Sequence, residues 1–329
     1  MAILKSRLTL FLKGMAMGAA DVVPGVSGGT IAFISGIYEE LLGSISAIGF
    51  KTLGVLRREG IAAAWKSFNG NFLATLLSGI LLSIICFSYL IKYLLENHPV
   101  LIWSFFFGLI LASVWLMGKS IKNRTSITNI VGLLVGTAIA YYITIATATS
   151  AELTLPYVFL CGIIAIMAMI LPGISGSFIL VLMGAYAGIL GSISILIDGI
   201  RNADWATAWA SGSLLVVFAS GCFIGIVGFS KVLTWMFNKA HDLTISVLTG
   251  FLIGSLNKVW PWKLVDEWFV KHEGTPEEEK IALLEHNVLP AVWEQINGMP
   301  SQWFLSLLLC IAGFALIVLF DRLSPENSK

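Results

Sequence analysis

Charge is what this 329-residue chain has least of. Only 12% of its residues are Asp, Glu, Lys or Arg, against about a quarter in a soluble domain. The formal charge is +1, and no run of basic residues forms an arm, so electrostatic attraction to nucleic acid is not indicated. Cysteine is scarce and scattered: Cys86, Cys161, Cys222 and Cys310 each lie inside apolar runs with no C-x-x-C pair. That spacing suggests neither a disulfide framework nor a zinc site, and the thiols read as small packing residues. The histidines, His98, His241, His272 and His286, are equally dispersed. No metal and no cofactor is indicated.

What the chain has in abundance is apolar surface: 57% hydrophobic residues and a mean hydropathy of +0.89. It reads as an all-α integral membrane protein. A cleaved leader is not expected. Lys5 and Arg7 resemble a signal n-region, but Lys13 interrupts the apolar run that should follow.

A membrane-crossing helix needs about 20 mainly apolar residues. Residues 72–95, 100–117, 127–147, 211–237, 243–260 and 303–320 meet that standard. Two more apolar regions are interrupted, 8–48 by "PGVSGG" and 155–197 by "PGISGS". Proline lacks an N–H and glycine is a poor helix former, so each region is expected to be two short helices joined by a loop. Non-helical backbone at membrane depth survives only where protein or water satisfies it. Re-entrant hairpins meet that condition.

Charge bias orients this arrangement. With a cytoplasmic N-terminus, the inner segments hold Lys5, Arg7, Lys13, Lys51, Arg57, Arg58, Lys66, Lys119, Lys122, Arg124, Lys239 and Arg322. The outer segments include residues 261–300, where acids outnumber bases. This is the positive-inside pattern, and it puts both termini in the cytoplasm. Within 261–300, Thr275, Pro276 and Glu278 have the pattern of a helix N-cap, first residue and capping-box partner. An amphipathic helix is expected to run to about Asn287, as a solvated cover or a lid.

The two broken regions are copies. "PGVSGGTIAFISGIYEELLGSIS" (24–46) aligns without gaps to "PGISGSFILVLMGAYAGILGSIS" (172–194), matching Gly36 with Gly184 and Tyr38 with Tyr186. Farther on, "FSYLIKYLL" resembles "FSKVLTWMF", and "GLILAS" resembles "GFLIGS". The expected organisation is two repeats, 1–147 and 148–329, each a re-entrant broken-helix hairpin followed by three transmembrane helices. An odd number of crossings per repeat inverts the second relative to the first. Inverted repeats with broken helices near the midplane are an architecture of alternating-access transporters.

The loops have the chemistry of anion holders. Successive backbone N–H groups at a helix start form a concavity for an anion. Ser27 and Thr30 add hydroxyls to the first loop, and Ser175 and Ser177 to the second. Lys13 lies on the arm leading in, either to supply positive charge or to snorkel to the interface. The acids Asp21, Glu39 and Glu40 are not duplicated. Intramembrane carboxylates commonly serve ion or proton relays, so these three are candidate coupling groups, the alternative being a loop cap and two headgroup-level glutamates.

"KGMAMGAADVVPGVSGGTIAFISGIYEELL" together with "PGISGS" closely resembles the bacterial polyprenyl-phosphate transporter family, and the resemblance covers essentially the whole chain. It implies a multi-pass protein of the bacterial cytoplasmic (inner) membrane that returns undecaprenyl phosphate, the lipid carrier of cell-wall precursors, from the outer to the inner leaflet. The loops would hold the phosphate head while the isoprenoid tail stays in lipid. The resemblance carries to Asp21, Pro24, Gly25, Ser27, Gly28, Gly29 and Thr30, and to Pro172, Gly173, Ser175, Gly176 and Ser177. Protons or sodium are the candidate coupling ions. Two rival readings stand beside it: a small-anion transporter and a membrane-embedded polyprenyl-pyrophosphate phosphatase. The phosphatases resemble inverted repeats with a P-G-x-S loop, but theirs continues into an arginine. Neither loop here contains one, and phosphoryl transfer needs cations to neutralise developing charge. Transport, not catalysis, is therefore expected.

Overall fold

A computed structural model describes residues 2–22, 27–147, 152–271 and 279–323. Pro24 and Gly25 lie outside the described residues, as do Thr275, Pro276 and Glu278. Among the described residues the chain forms fourteen helices and one two-stranded sheet.

The first broken region is three helices: α1 (Ala2–Asp21), α2 (Gly28–Ile34) and α3 (Tyr38–Ser46). Two short helices follow, α4 (Phe50–Glu59) and α5 (Ile61–Ser67), which the apolar-run reading passed over. Three long helices come next: α6 (Gly70–Asn97), α7 (Pro99–Ser120) and α8 (Ile127–Ile145). The second broken region is α9 (Leu155–Ile170), α10 (Gly176–Leu182) and α11 (Tyr186–Arg201). Helix α12 (Trp205–Ser255) carries both of the next two expected spans, joined through a non-helical residue, Ala240 (φ −147°, ψ 61°). Strands β1 (Lys263–Lys271) and β2 (Glu279–Asn287), helix α13 (Pro290–Asn297) and helix α14 (Trp303–Leu323) complete the chain. Among the described residues five helices are long and apolar enough to cross a membrane, six when the bent pair α10–α11 counts as one span.

The two broken regions repeat each other in backbone detail. After α2, Ser35 N donates to Ile31 O, Gly36 N to Phe33 O and Ile37 N to Ala32 O. After α10, Met183 N donates to Ile179 O, Gly184 N to Val181 O and Ala185 N to Leu180 O. Gly36 (φ 71°) and Gly184 (φ 64°) hold the left-handed conformation that closes each ladder, which only glycine adopts without strain. Beyond the turn at Gly184, α11 departs from α10 at 104°.

Glycines set how closely the long helices pack. Because lipid tails are as apolar as leucine, membrane helices associate through close backbone approach at small residues. A Cβ on Gly79 would stand 2.3 Å from Phe11 O, and one on Gly14 2.3 Å from Leu76 O, so α1 and α6 touch backbone to backbone. Gly162 against Phe218 O and Gly221 against Phe159 O do the same for α9 and α12. Gly136 and Gly250 bring α8 against α12. Gly108 and Gly313 bring α7 against α14.

The helix expected up to Asn287 is not there: residues 279–287 are strand β2, paired antiparallel with β1. Locally the segment is helix-prone. Its partner KLVDEWFVK is rich in Val, Trp and Phe, which favour a pleated strand, and pairing overrides the local preference. Three side chains, Val100, Trp262 and Trp293, pack under this region. Trp260 Nε1 donates to Val288 O at 2.9 Å, and Trp262 Nε1 to Ser301 O at 2.9 Å. Strands β1 and β2 thus form a docked hairpin.

Candidate functional site

The two glycine-rich loops meet inside the bundle. Ser27 starts α2 in an extended conformation (φ −119°, ψ 132°), and its Oγ accepts from Gly29 N at 3.1 Å. The same hydroxyl donates across to Met169 O at 3.1 Å, at the end of α9. Thr30 Oγ1 accepts from Gly173 N at 3.2 Å. Tyr38 OH donates to Ile170 O at 3.1 Å. A Cβ on Gly29 would lie 2.5 Å from Ile170 O, so only glycine permits this approach. Three hydroxyls of the first broken region thereby satisfy the backbone where α9 breaks, as membrane-depth irregularity requires.

Asp21 closes the first loop on itself. Its Oδ1 accepts from Gly28 N at 2.6 Å, a charge-assisted geometry at the start of α2. Ser27, Gly28, Gly29 and Thr30 are all buried. In the second loop Pro172, Gly173 and Gly176 are buried, Ser175 is half-buried and Ser177 is exposed. The two hydroxyls Ser175 Oγ and Ser177 Oγ lie 2.8 Å apart. Ser175 begins α10 in the same extended conformation as Ser27 (φ −99°, ψ 129°) but makes no side-chain cap. Gly173 holds a positive φ of 83°, and a Cβ there would stand 2.7 Å from Ser255 Oγ.

The remaining expected residues lie elsewhere. Lys13 is on α1, about two turns before Asp21, and its Nζ donates to Ser35 O at the carbonyl end of α2. It faces the opposite end of that helix from the anion-type loop. Glu39 and Glu40 are exposed. Glu39 Oε1 is 3.2 Å from His241 Nε2, and Glu40 Oε1 accepts from Asn69 Nδ2 at 2.9 Å. Tyr38 was overlooked as a site residue; its alignment with Tyr186 was the signal available.

An apolar cavity of about 680 Å³ lies against α1 and α2. Ala20 and Ile31, immediate chain neighbours of Asp21 and Thr30, are among its lining residues, and α6, α7 and α14 supply Phe87, Phe106, Leu109 and Ile317. A polar, glycine-lined interior therefore adjoins a greasy groove.

Broken helices whose loops meet inside a bundle of apolar spans define a multi-pass membrane protein with an internal polar site. The chain belongs to the undecaprenyl phosphate translocase-like family (VCA0040-like), whose description matches residues 17–277. It is 45% identical over 319 residues to the polyprenyl-phosphate transporter of Vibrio cholerae serotype O1, covering 97% of each chain. It is 30% identical over 331 residues to the polyprenyl-phosphate transporter of Staphylococcus aureus, covering 96% of each. No solved structure matches the chain. The names of family and relatives describe transporters and not enzymes, in agreement with the expectation drawn from the arginine-free loops.

Proposed function

We propose that this protein carries a polyprenyl phosphate, with undecaprenyl phosphate the expected cargo, from the outer to the inner leaflet of the bacterial cytoplasmic membrane by alternating access. The observation that carries the reading is that an apolar groove is lined by Ala20 and Ile31, the chain neighbours of Asp21 and Thr30 in the two-loop site. A lipid with an anionic head and a prenyl tail needs both surfaces side by side. The phosphate is held at the first loop, Pro24, Gly25 and Ser27 to Thr30, where the Gly28 N–H becomes available once Asp21 releases it. The second loop, Pro172, Gly173, Ser175, Gly176 and Ser177, completes the site. Lys13 then acts through α2 and not by direct contact.

The two halves work as inverted repeats with re-entrant hairpins at 8–48 and 155–197. This is supported by the matching turns at Gly36 and Gly184 and by the glycine contacts. Gly14, Gly79, Gly108 and Gly136 of the first half answer to Gly162, Gly221, Gly250 and Gly313 of the second. In each half the third long helix packs on the second of the other half. Both termini are cytoplasmic, following the charge bias.

Coupling to protons or sodium falls on Asp21 among the three candidate carboxylates. It alone sits on the loop, and its bond to Gly28 N occupies a donor an incoming phosphate would use. Glu39 and Glu40 stand at the surface. The test uses purified protein in liposomes with labelled undecaprenyl phosphate in one leaflet, comparing the native chain with Ser27→Ala/Thr30→Ala. Movement that fails in the folded double variant, with no phosphate released from the pyrophosphate lipid, is expected. Phosphate release without lipid movement would overturn the reading.

A further inference from the structure

Among the described residues outside the two loops, one cluster of buried charge is not used by the transport reading. Lys258 Nζ and Lys263 Nζ converge on a single oxygen, Glu285 Oε1, at 2.7 and 3.1 Å. The three side chains are only 13%, 6% and 14% exposed, so their charges are poorly screened. Two ammonium groups share one carboxylate, leaving one positive charge in excess. Aromatic faces complete the pocket: Lys263 Nζ lies 3.8 Å from the Trp103 ring centroid and Lys258 Nζ 4.2 Å from that of Phe178.

The cluster adjoins the second loop. Phe178 follows Ser177 directly. Ser255, whose hydroxyl limits the space at Gly173, is linked to Lys258 by a backbone bond of 2.9 Å, Lys258 N to Ser255 O. Ser177 is exposed, with Ser175 hydroxyl 2.8 Å away. Lys258 is thus tied to the second loop on two sides, by its contact with Phe178 and by its bond to Ser255. We propose that Lys258 and Lys263, with Ser175 and Ser177, receive the phosphate monoester of the lipid on its way in, and that Glu285 is the internal competitor it displaces. The proposal rests on the transport reading.

The electrostatics fit a dianion better than a carboxylate. A phosphate monoester carries about −1.5 to −2 near neutral pH, enough to balance both ammonium groups where Glu285 balances one. Burial, with a smaller push from Lys258, outweighs the attraction of Glu285 and leaves the Lys263 ammonium lowered to about 8. Burial pushes the Glu285 carboxyl up, but the two lysines outweigh it and hold it below its ordinary value. Glu285 is carried by strand β2 of the docked hairpin, so release of one contact frees a surface element and does not unpack a span.

The test measures binding of farnesyl phosphate to the full chain in detergent micelles, with farnesol and inorganic phosphate in parallel arms. Lys263 is too buried to be the primary variant, so Lys258→Gln, Lys258→Arg and Glu285→Gln are used, each checked by thermal melting. Losing one charge-assisted contact should weaken farnesyl phosphate about tenfold or more in Lys258→Gln, with Lys258→Arg close to native. Glu285→Gln should tighten binding. Binding within twofold of native in folded Lys258→Gln, or weaker binding in Glu285→Gln, overturns this site alone. Inorganic phosphate binding as tightly as farnesyl phosphate overturns the lipid assignment. A native chain that binds neither overturns the transport reading and this site with it.

Discussion

Thr30→Val isolates one of the bonds that join the two broken regions. Valine matches threonine in shape but cannot accept from Gly173 N, so the change removes the 3.2 Å contact without opening a cavity. Thr30 is 2% exposed and Gly173 is buried, so water does not readily take the hydroxyl's place. A buried donor left without its acceptor costs about 1–3 kcal/mol, a factor of about 5 to 150 in the equilibrium between closed and parted loops. Thr30→Ser keeps the hydroxyl and loses one methyl, for about 0.8 kcal/mol of burial. The two variants therefore have overlapping stabilities but different local order. Hydrogen exchange over residues 171–183 should rise clearly in Thr30→Val and stay near native in Thr30→Ser, while both melt below the native chain in detergent. Unchanged exchange at Gly173 in Thr30→Val would refute the claim that this hydroxyl ties the loops together.

Gly136→Val drives a side chain into Val247 O, 2.3 Å from the glycine's Cβ position. It should destabilise by about 1–3 kcal/mol or more, whereas Gly118→Ala, with nothing within 4 Å, should melt at or slightly above the native temperature. Asp204 caps α12 by accepting from Thr207 N and Thr207 Oγ1 at 3.2 and 2.6 Å, and these bonds hold its carboxyl below the ordinary range. A depressed carboxylate stabilises the fold above its unfolded pKa and loses that contribution as pH falls through its folded one. The melting deficit of Asp204→Ala should accordingly be full at neutral pH and shrink in acid. Glu59→Cys and Asn202→Cys, both at exposed positions, should label from opposite faces of oriented vesicles; labelling from one face would refute the inverted arrangement.

The outline of this protein was legible because the bilayer imposes a length and a composition. The six apolar runs correspond to helices, with 211–237 and 243–260 joined through Ala240. The two breaks fall at the proline-glycine motifs, and the alignment of Gly36 with Gly184 marked two turns of the same conformation. The helices α4 and α5 carry no such signal, because segments of ten and seven residues lack a long apolar run. The pattern Thr275-Pro276-x-Glu278 misled, since a capping signal is local while strand pairing between 263–271 and 279–287 is not.

Composition and periodicity by themselves therefore determined the membrane class, the positions of the spans and the duplication, since each follows from transfer energy and backbone preference within a short window. Only the tertiary structure decided which polar groups meet. It turned Ser27, Thr30 and Tyr38 onto the broken end of α9, left Glu39 and Glu40 at the surface, and gathered Lys258, Lys263 and Glu285 from a helix end and two strands. Such groupings depend on how glycine-lined helices close on one another and how the β1–β2 hairpin docks. No window of sequence contains either.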